Sequence, residues 1–298
     1  MCGIAGLFLK SQSLEADLGP MLGSMLAVLS DRGPDSAGFA IYGKGVAGAE
    51  KLTLRMRNAE AEQALLAFAE RAGIATPVVN SNHAVVTVSR GMVAQIKDQI
   101  RKAPLSHALE IVGSGERMEI YKDVGLPQDV AKRFALERMA GTHAIGHTRM
   151  ATESAVTTNG AHPFSTGTDQ CLVHNGSLSN HNGIRRKLRR AGLSFETDND
   201  SEVAAGYLTW RMREGASLRE ALGQSLKDLD GFFTFVVGTE SGFAVLRDPI
   251  ACKPAVMAET DDYVAFGSEY RALAVLPGIA AARVFEPEPA RVYAWERN

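Results

Sequence analysis

The sequence predicts an α+β fold in which two layers of antiparallel strands are flanked by helices. Three observations carry this. The chain opens on an apolar run, Ile4-Ala5-Gly6-Leu7-Phe8-Leu9, that reads as a buried strand. Helical and strand patterns alternate through the middle, and from Gly231 to Asn298 short strands alternate with turns. Antiparallel layers with helices outside account for that order.

After the opening strand, Leu18 to Leu29 has apolar residues at helical spacing and stops at Asp31-Arg32-Gly33-Pro34, where glycine and proline break the helix. Ser36 to Tyr42 reads as a second buried strand. Gly43-Lys44-Gly45-Val46-Ala47-Gly48 matches the GxGxxG dinucleotide pattern in form only, because that pattern must open a helix onto a pyrophosphate. Lys51 to Arg55 alternates like a strand instead, which predicts a hairpin.

Helices are expected over Ala59 to Ala72, Val93 to Lys102 and Pro127 to Met139, the last with proline at its start, and strands over Ala84 to Val88 and Ala108 to Val112. The region about 59–140 shows no cluster suited to chemistry and is expected to be an insertion within a single domain spanning 1–298. Beyond it, His143 to Thr152 begins as a strand and presents Arg149, and Leu172 to Gly176 is a strand running into a turn. His181 to Ala191 is a helix whose basic face (Arg185, Arg186, Lys187, Arg189, Arg190) is expected to be solvated. Thr197 to Glu202 then enters a helix reaching Trp210. The closing strands are expected at Phe232 to Val237, Phe243 to Leu246, Ala255 to Ala258, Tyr263 to Gly267 and Val292 to Trp295.

Composition narrows the function. With 45% apolar and 22% charged residues and a formal charge of -2, the chain offers no surface for nucleic acid or an anionic membrane. No run approaches the roughly 20 apolar residues of a membrane span, and the start lacks the basic segment of a signal peptide, so a cytoplasmic location is expected. Cys2, Cys171 and Cys252 lie far apart, which suits a reducing compartment. Neither they nor the histidines show a metal-site pattern, and no cofactor is expected in this chain.

The chemistry starts at Cys2. Its small side chain permits removal of Met1, which leaves one residue carrying a thiol and a free α-amine. An amine with pKa about 8 beside a thiol with pKa about 8.5 can exchange a proton at physiological pH, so the sulfur needs no separate base. If Met1 is retained, the amine is the wrong one and the mechanism fails.

Cys2-Gly3-Ile4, Arg32-Gly33-Pro34-Asp35-Ser36-Ala37-Gly38, Gly146-His147-Thr148-Arg149, His174-Asn175-Gly176 and Asp200-Ser201-Glu202 follow one another in this order. In them the chain resembles the class II glutamine amidotransferases, which are N-terminal-nucleophile hydrolases. The match is firm over the N-terminal stretch and residues 141 to about 210. It is looser through Arg247-Asp248 and Gly267-Ser268-Glu269, and nearly absent over about 45–135, a stretch the family would vary.

The resemblance implies a four-layer αββα sandwich of two antiparallel sheets and hydrolysis of L-glutamine to glutamate and ammonia. Cys2 would attack the side-chain amide and form a γ-glutamyl thioester. The Asn175 side-chain amide and the Gly176 backbone N–H would hold the oxyanion. Arg149 would clamp the substrate α-carboxylate and Asp200 its α-ammonium. Thr152 and Arg32 complete the expected binding set, Thr152 supporting the carboxylate pocket and Arg32 ordering the loops around Cys2.

Each role has a plain structural alternative: an ion pair for Arg149, a type I′ turn for Asn175-Gly176, a helix cap for Asp200. The acidic spacing around Asp200 imitates a calcium loop without its glycine or terminal Glu. Two departures stand out, Met150 where relatives carry an aromatic residue and Glu153 where glucosamine-6-phosphate synthases carry His. Met fills such a gap more loosely.

The chain ends soon after the amidotransferase fold should, so the ammonia acceptor is expected on a partner subunit in a hetero-oligomer. Similarity extends to stand-alone subunits serving glutamate-synthase-type assemblies, including N-methylglutamate synthase. Flavin and iron-sulfur chemistry would then belong to the partner, since this chain lacks ligands for either. Two other readings stay open, a different N-terminal-nucleophile amidase and a non-catalytic glutamine-binding or scaffold subunit.

Overall fold

The computed structural model describes residues 2–151 and 155–297. In chain order the strands are β1 (Gly3–Leu9), β2 (Ser36–Tyr42), β3 (Ala49–Met56), β4 (Val78–Asn80), β5 (His83–Ser89), β6 (Leu109–Gly115), β7 (Met118–Val124), β8 (His143–Arg149), β9 (Phe164–Gly167), β10 (Gln170–Leu178), β11 (Gly231–Gly238), β12 (Gly242–Arg247), β13 (Val256–Glu259), β14 (Tyr263–Gly267), β15 (Arg283–Phe285) and β16 (Tyr293–Glu296). The helices are α1 (Leu18–Val28), α2 (Ala61–Ala72), α3 (Val93–Ile100), α4 (Leu105–Ala108), α5 (Pro127–Arg133), α6 (His181–Arg190), α7 (Asp200–Arg213), α8 (Leu218–Asp228) and α9 (Tyr270–Leu273). No helix among the described residues is long and apolar enough to cross a membrane.

β1 occupies the middle of a seven-stranded sheet, ordered β15-β13-β14-β1-β8-β2-β7, and pairs antiparallel with β8 (Gly3 opposite Thr148) and β14 (Ala5 opposite Gly267). Every β1 residue is buried because both faces are covered. Alternate side chains go to opposite faces. Ala5, Leu7 and Leu9 pack with Leu18, Leu22, Met25 and Leu26 of α1, whereas Ile4 and Phe8 pack with Val173, Val236, Phe243 and Val245 of a second sheet.

That second sheet runs β16-β12-β11-β10-β9. Its far face, through Leu172, Phe233, Phe235 and Leu246, buries Val203, Tyr207 and Leu208 of α7 and Leu218 and Leu222 of α8. Helix, sheet, sheet, helix is the resulting order, the four-layer αββα sandwich. The apolar start of β1 is therefore a strand between two cores rather than a helix or membrane segment.

A third sheet, β4-β5-β3-β6, has its own core with α2 and α3 through Leu52, Leu54, Leu65, Val86 and Ile96. Residues 43–48 are not the predicted hairpin. β2 pairs with β7 and β8, and β3 pairs with β5 and β6, so the glycine-rich loop carries the chain from one sheet to another. No helix follows it, and the dinucleotide reading stays excluded.

Within 59–140, β7 returns to the main sheet beside β2 and α5 packs with α1, while the third sheet takes in Ala49–Met56 upstream. Sequence patterning missed β7 because Lys122 and Asp123 interrupt its apolar alternation. Both are buried: Lys122 Nζ donates to the carbonyls of Ala161 (2.9 Å) and Pro163 (3.3 Å), and Asp123 accepts from Asn82 (2.9 Å) and Thr158 (2.7 Å). Buried charges paired in this way are tolerated in a strand. The short strands β4, β9 and β15 and the helix α8 also escaped it.

Candidate active site

The cleft lies where the ends of the two central sheets meet. Cys2 precedes β1, Arg149 ends β8 of the same sheet, and Asn175 and Gly176 belong to β10 of the facing sheet. Asp200 is the first residue of α7. These five residues, from four separate stretches of the sequence, line one cavity of about 800 Å³.

Cys2 is held from several sides. Its carbonyl accepts from Arg32 Nε (3.2 Å) and Asn175 Nδ2 (3.2 Å), and its thiol lies 3.8 Å from the Met150 carbonyl. Two bonds anchor the next turn of chain, from Ile4 N–H to Ser268 Oγ (2.9 Å) and from Ser268 N–H to the Ile4 carbonyl (3.0 Å). Glu269 pairs with Arg32 at 3.3 Å. Residues near the C-terminus therefore brace Cys2. Arg32 itself does not line the cleft and reaches Cys2 from outside it.

Asn175 and Gly176 do not form a turn. They are paired mid-strand with Thr234 and Phe233 of β11. The expected end of the strand is displaced because Gly176 takes a φ of +151°, which lets β10 continue to Leu178. A Cβ at Gly176 would come within 2.0 Å of the Phe232 carbonyl and 2.7 Å of His174 Nε2, so only glycine fits.

Arg149 is buried, and its Nη1 donates to the Ala155 carbonyl at 3.3 Å. Just after it, Ala151 N–H donates to Asp35 Oδ2 at 2.7 Å, which ties the Arg32-Gly33-Pro34-Asp35 turn to the cleft wall. Asp200 is not the helix cap. Asn199 Oδ1 accepts from Ser201 N–H (2.8 Å) in that role, while Asp200 Oδ2 accepts the Leu178 N–H (2.9 Å). Thr152, together with Glu153, lies outside the described residues. So does Met1.

Three cleft residues had no role in the sequence reading. His174 Nδ1 bonds Ser201 Oγ (2.9 Å), which donates to Asp200 Oδ1 (3.3 Å), while its Nε2 has no protein partner among the described residues. Burial pushes the His174 pKa down, opposed by the nearby Asp200 carboxylate. His162 stacks on His147 at 4.0 Å between ring centroids, and neither of its ring nitrogens has a partner among the described residues; Asn159 Oδ1 likewise. Burial holds the His162 imidazole well below its usual pKa and neutral, and the same cause takes His147 to about 3. Such buried groups present hydrogen-bonding capacity to the cleft. The available signal was adjacency: His174 directly precedes Asn175-Gly176.

The basic helix α6 also differs from expectation at one position. Arg185 is buried and donates to Asn182 Oδ1 (2.9 Å) and the Asn199 carbonyl (3.1 Å), so it braces the loop leading to Asp200 rather than facing solvent. Among the described residues no group of three or more His, Cys, Asp or Glu could hold a metal ion.

Comparison with known proteins agrees with this geometry. A family model described as a glutamine amidotransferase domain matches residues 147–275. The glutamine amidotransferase-like protein GlxB of Rhizobium meliloti (strain 1021) is 59% identical over 300 residues, covering 100% of this chain and 99% of that protein. The amidophosphoribosyltransferase of Methanocaldococcus jannaschii is 30% identical over 165 residues, covering 54% of this chain and 35% of its own length. In three dimensions the chain is similar to the glutamine phosphoribosylpyrophosphate amidotransferase of B. subtilis, with a TM-score of 0.63 at 20% identity over 99% of this chain and 47% of that one. At that identity the likeness shows a shared fold. Fold, family model and the full-length relative agree, and the chain belongs to the class II glutamine amidotransferases.

Proposed function

We propose that Cys2 is the nucleophile of a glutaminase and that the ammonia released is used on a partner subunit. The observation that carries the first part is the convergence of Cys2, Arg149, Asn175, Gly176 and Asp200 on one cleft. After removal of Met1, the α-amine takes the thiol proton as sulfur attacks the γ-amide carbon of glutamine. It returns that proton to the departing ammonia, and water then hydrolyses the γ-glutamyl thioester.

Asn175 carries two N–H donors. One engages the Cys2 carbonyl, which leaves the other for the oxyanion beside the Gly176 backbone N–H. A donor of this kind is worth about 3 kcal/mol in the transition state. Arg149 fits the planar α-carboxylate, and Asp200 takes the α-ammonium. That pair demands a free amino-acid head group and favours glutamine over an N-acylated amine. Thr152 is assigned to the carboxylate pocket, and Arg32 acts as a positioning residue through the Cys2 carbonyl.

The deciding experiment is the intact mass of the protein before and after 6-diazo-5-oxo-norleucine, a reactive glutamine mimic, with Cys2→Ala alongside. Loss of Met1 and one adduct absent from the variant is the expected result. Retained Met1, or a processed chain that takes no adduct, supports the scaffold reading instead.

By family analogy the acceptor subunit is of the glutamate-synthase type, as in N-methylglutamate synthase, and holds the flavin and iron-sulfur groups. Co-purification of a large flavoprotein from the native source is expected. Full synthase activity from this chain alone would refute it.

A further inference from the structure

A second concavity, of about 230 Å³, opens where the third sheet meets the sandwich. Its seam is well defined. Asp169 accepts the backbone N–H groups of Glu116 (2.7 Å), Arg117 (3.0 Å) and Met118 (2.9 Å), and Ser114 pairs with Thr168. Three cations from two helices converge there: Lys97 of α3, Arg101 directly after it, and Arg213 at the end of α7.

Lys97 Nζ donates to Ser114 Oγ at 2.8 Å and lies 3.6 Å from Glu50. Burial pushes its pKa down; Glu50 opposes this, while Arg101 and Arg213 add to it. Neither Arg101 nor Arg213 has a side-chain hydrogen bond or ion pair among the described residues. A helix C-terminus favours cations by its dipole. Lys97 and Arg101 stand at the end of α3 and Arg213 at the end of α7, so each dipole favours the cations of its own helix. The dipoles do not account for two helix ends turning their cations onto one cavity lined also by the hydroxyl residues Ser165, Thr166 and Ser194.

Two carboxylates share the lining. That of Glu202 is taken up by the N–H groups of Glu196 (2.8 Å) and Thr197 (2.8 Å) and the Thr197 hydroxyl (2.7 Å), which leaves Glu196 as the one acidic side chain there without a partner among the described residues. Residues 192–202 form the wall between the two cavities. Gly192, Ser194 and Glu202 face the second, Thr197 and Asp200 face the cleft, and Glu196 borders both. Glu196 and Thr197 of this segment are bound to Glu202 of α7, so one hydrogen-bonded segment contributes to both linings.

We propose that this concavity is an effector site for a small anion bearing a phosphate or carboxylate group, and that its occupancy is transmitted to the Cys2 cleft through residues 192–202. Guanidinium groups bind both oxyanions in bidentate fashion. The proposal goes beyond the glutaminase reading and does not depend on it.

The test uses the full chain titrated with inorganic phosphate and, in a parallel arm, with succinate. Binding is followed calorimetrically, and the rate at which iodoacetamide alkylates Cys2 is followed by peptide mass. Saturable binding of one of the two anions is expected, weakened about tenfold or more in both Arg101→Ala and Arg213→Ala. At saturation the labelling rate of Cys2 is expected to change by about twofold or more, equivalent to roughly 0.4 kcal/mol. The anion that binds identifies the ligand class. Absence of saturable binding, binding that survives both substitutions, or binding that leaves Cys2 labelling unchanged overturns the proposal. Both arginines are exposed, so their loss leaves the fold intact, and alkylation reads the thiol whether or not the protein hydrolyses glutamine.

Discussion

The Asn175 side-chain amide donates to the backbone carbonyl of Cys2 across 3.2 Å, although 173 residues separate them. The bond joins the two central sheets at the point where chemistry is proposed. It also fixes the plane of the Asn175 amide, so that its second N–H is set before substrate arrives.

Asn175→Ala is therefore expected to lower kcat for glutamine hydrolysis by about 10²–10³ with a small change in KM. Steady-state glutaminase assays decide this. Asn175→Asp should be at least as damaging, because it turns an acceptor toward the Cys2 carbonyl and removes both donors.

Arg149→Lys keeps the charge and loses the fork that matches a carboxylate. Its KM for glutamine is expected to rise about tenfold or more, and free glutamate should weaken as a competitive inhibitor in parallel. An unchanged inhibition constant for glutamate would remove Arg149 from the carboxylate site.

Gly176→Ala tests backbone demand apart from chemistry. Its Cβ meets the Phe232 carbonyl at 2.0 Å, and the φ of +151° is one that L residues rarely adopt. A loss of about 2 kcal/mol or more is expected, read as a lower urea midpoint with unchanged m-value.

Acid stability follows from buried histidines. Burial takes His83, His143 and His147 to about 3, so the folded state holds them neutral while the unfolded state binds protons from about pH 6.5 downward. Their contribution is fully present above pH 6.5 and lost as pH falls through 6.5 toward 3. Each adds a slope of up to about 1.4 kcal/mol per pH unit within that window. Urea midpoints measured from pH 7.5 to 4.5 should decline, and His143→Gln should reduce the slope by up to about one proton.

The residues that meet in the cleft could be singled out in the sequence because each stands in a short motif through which the chain resembles the class II amidotransferases: the second-position cysteine, the arginine of Gly146-His147-Thr148-Arg149, Asn175-Gly176, and the aspartate of Asp200-Ser201-Glu202. The opening strand, α1, β2 and β14 were legible for a similar reason, since apolar periodicity and glycine or proline stops are local signals. Charge inside an apolar pattern misled the reading at β7, where Lys122 and Asp123 are satisfied by carbonyls and side chains that only folding brings near.

What the sequence determined by itself was the inventory of chemical groups and the class of fold that carries them. The tertiary structure alone decided which groups meet. It carried β10 through Asn175-Gly176 where a turn was a reasonable expectation, sent β2 and β3 on either side of residues 43–48 into different sheets, and turned His162 and His174 into the cleft. Pairing partners in antiparallel sheets lie at any sequence separation, and whether a buried polar group is satisfied depends on those partners. Neither can be read from a window of neighbouring residues.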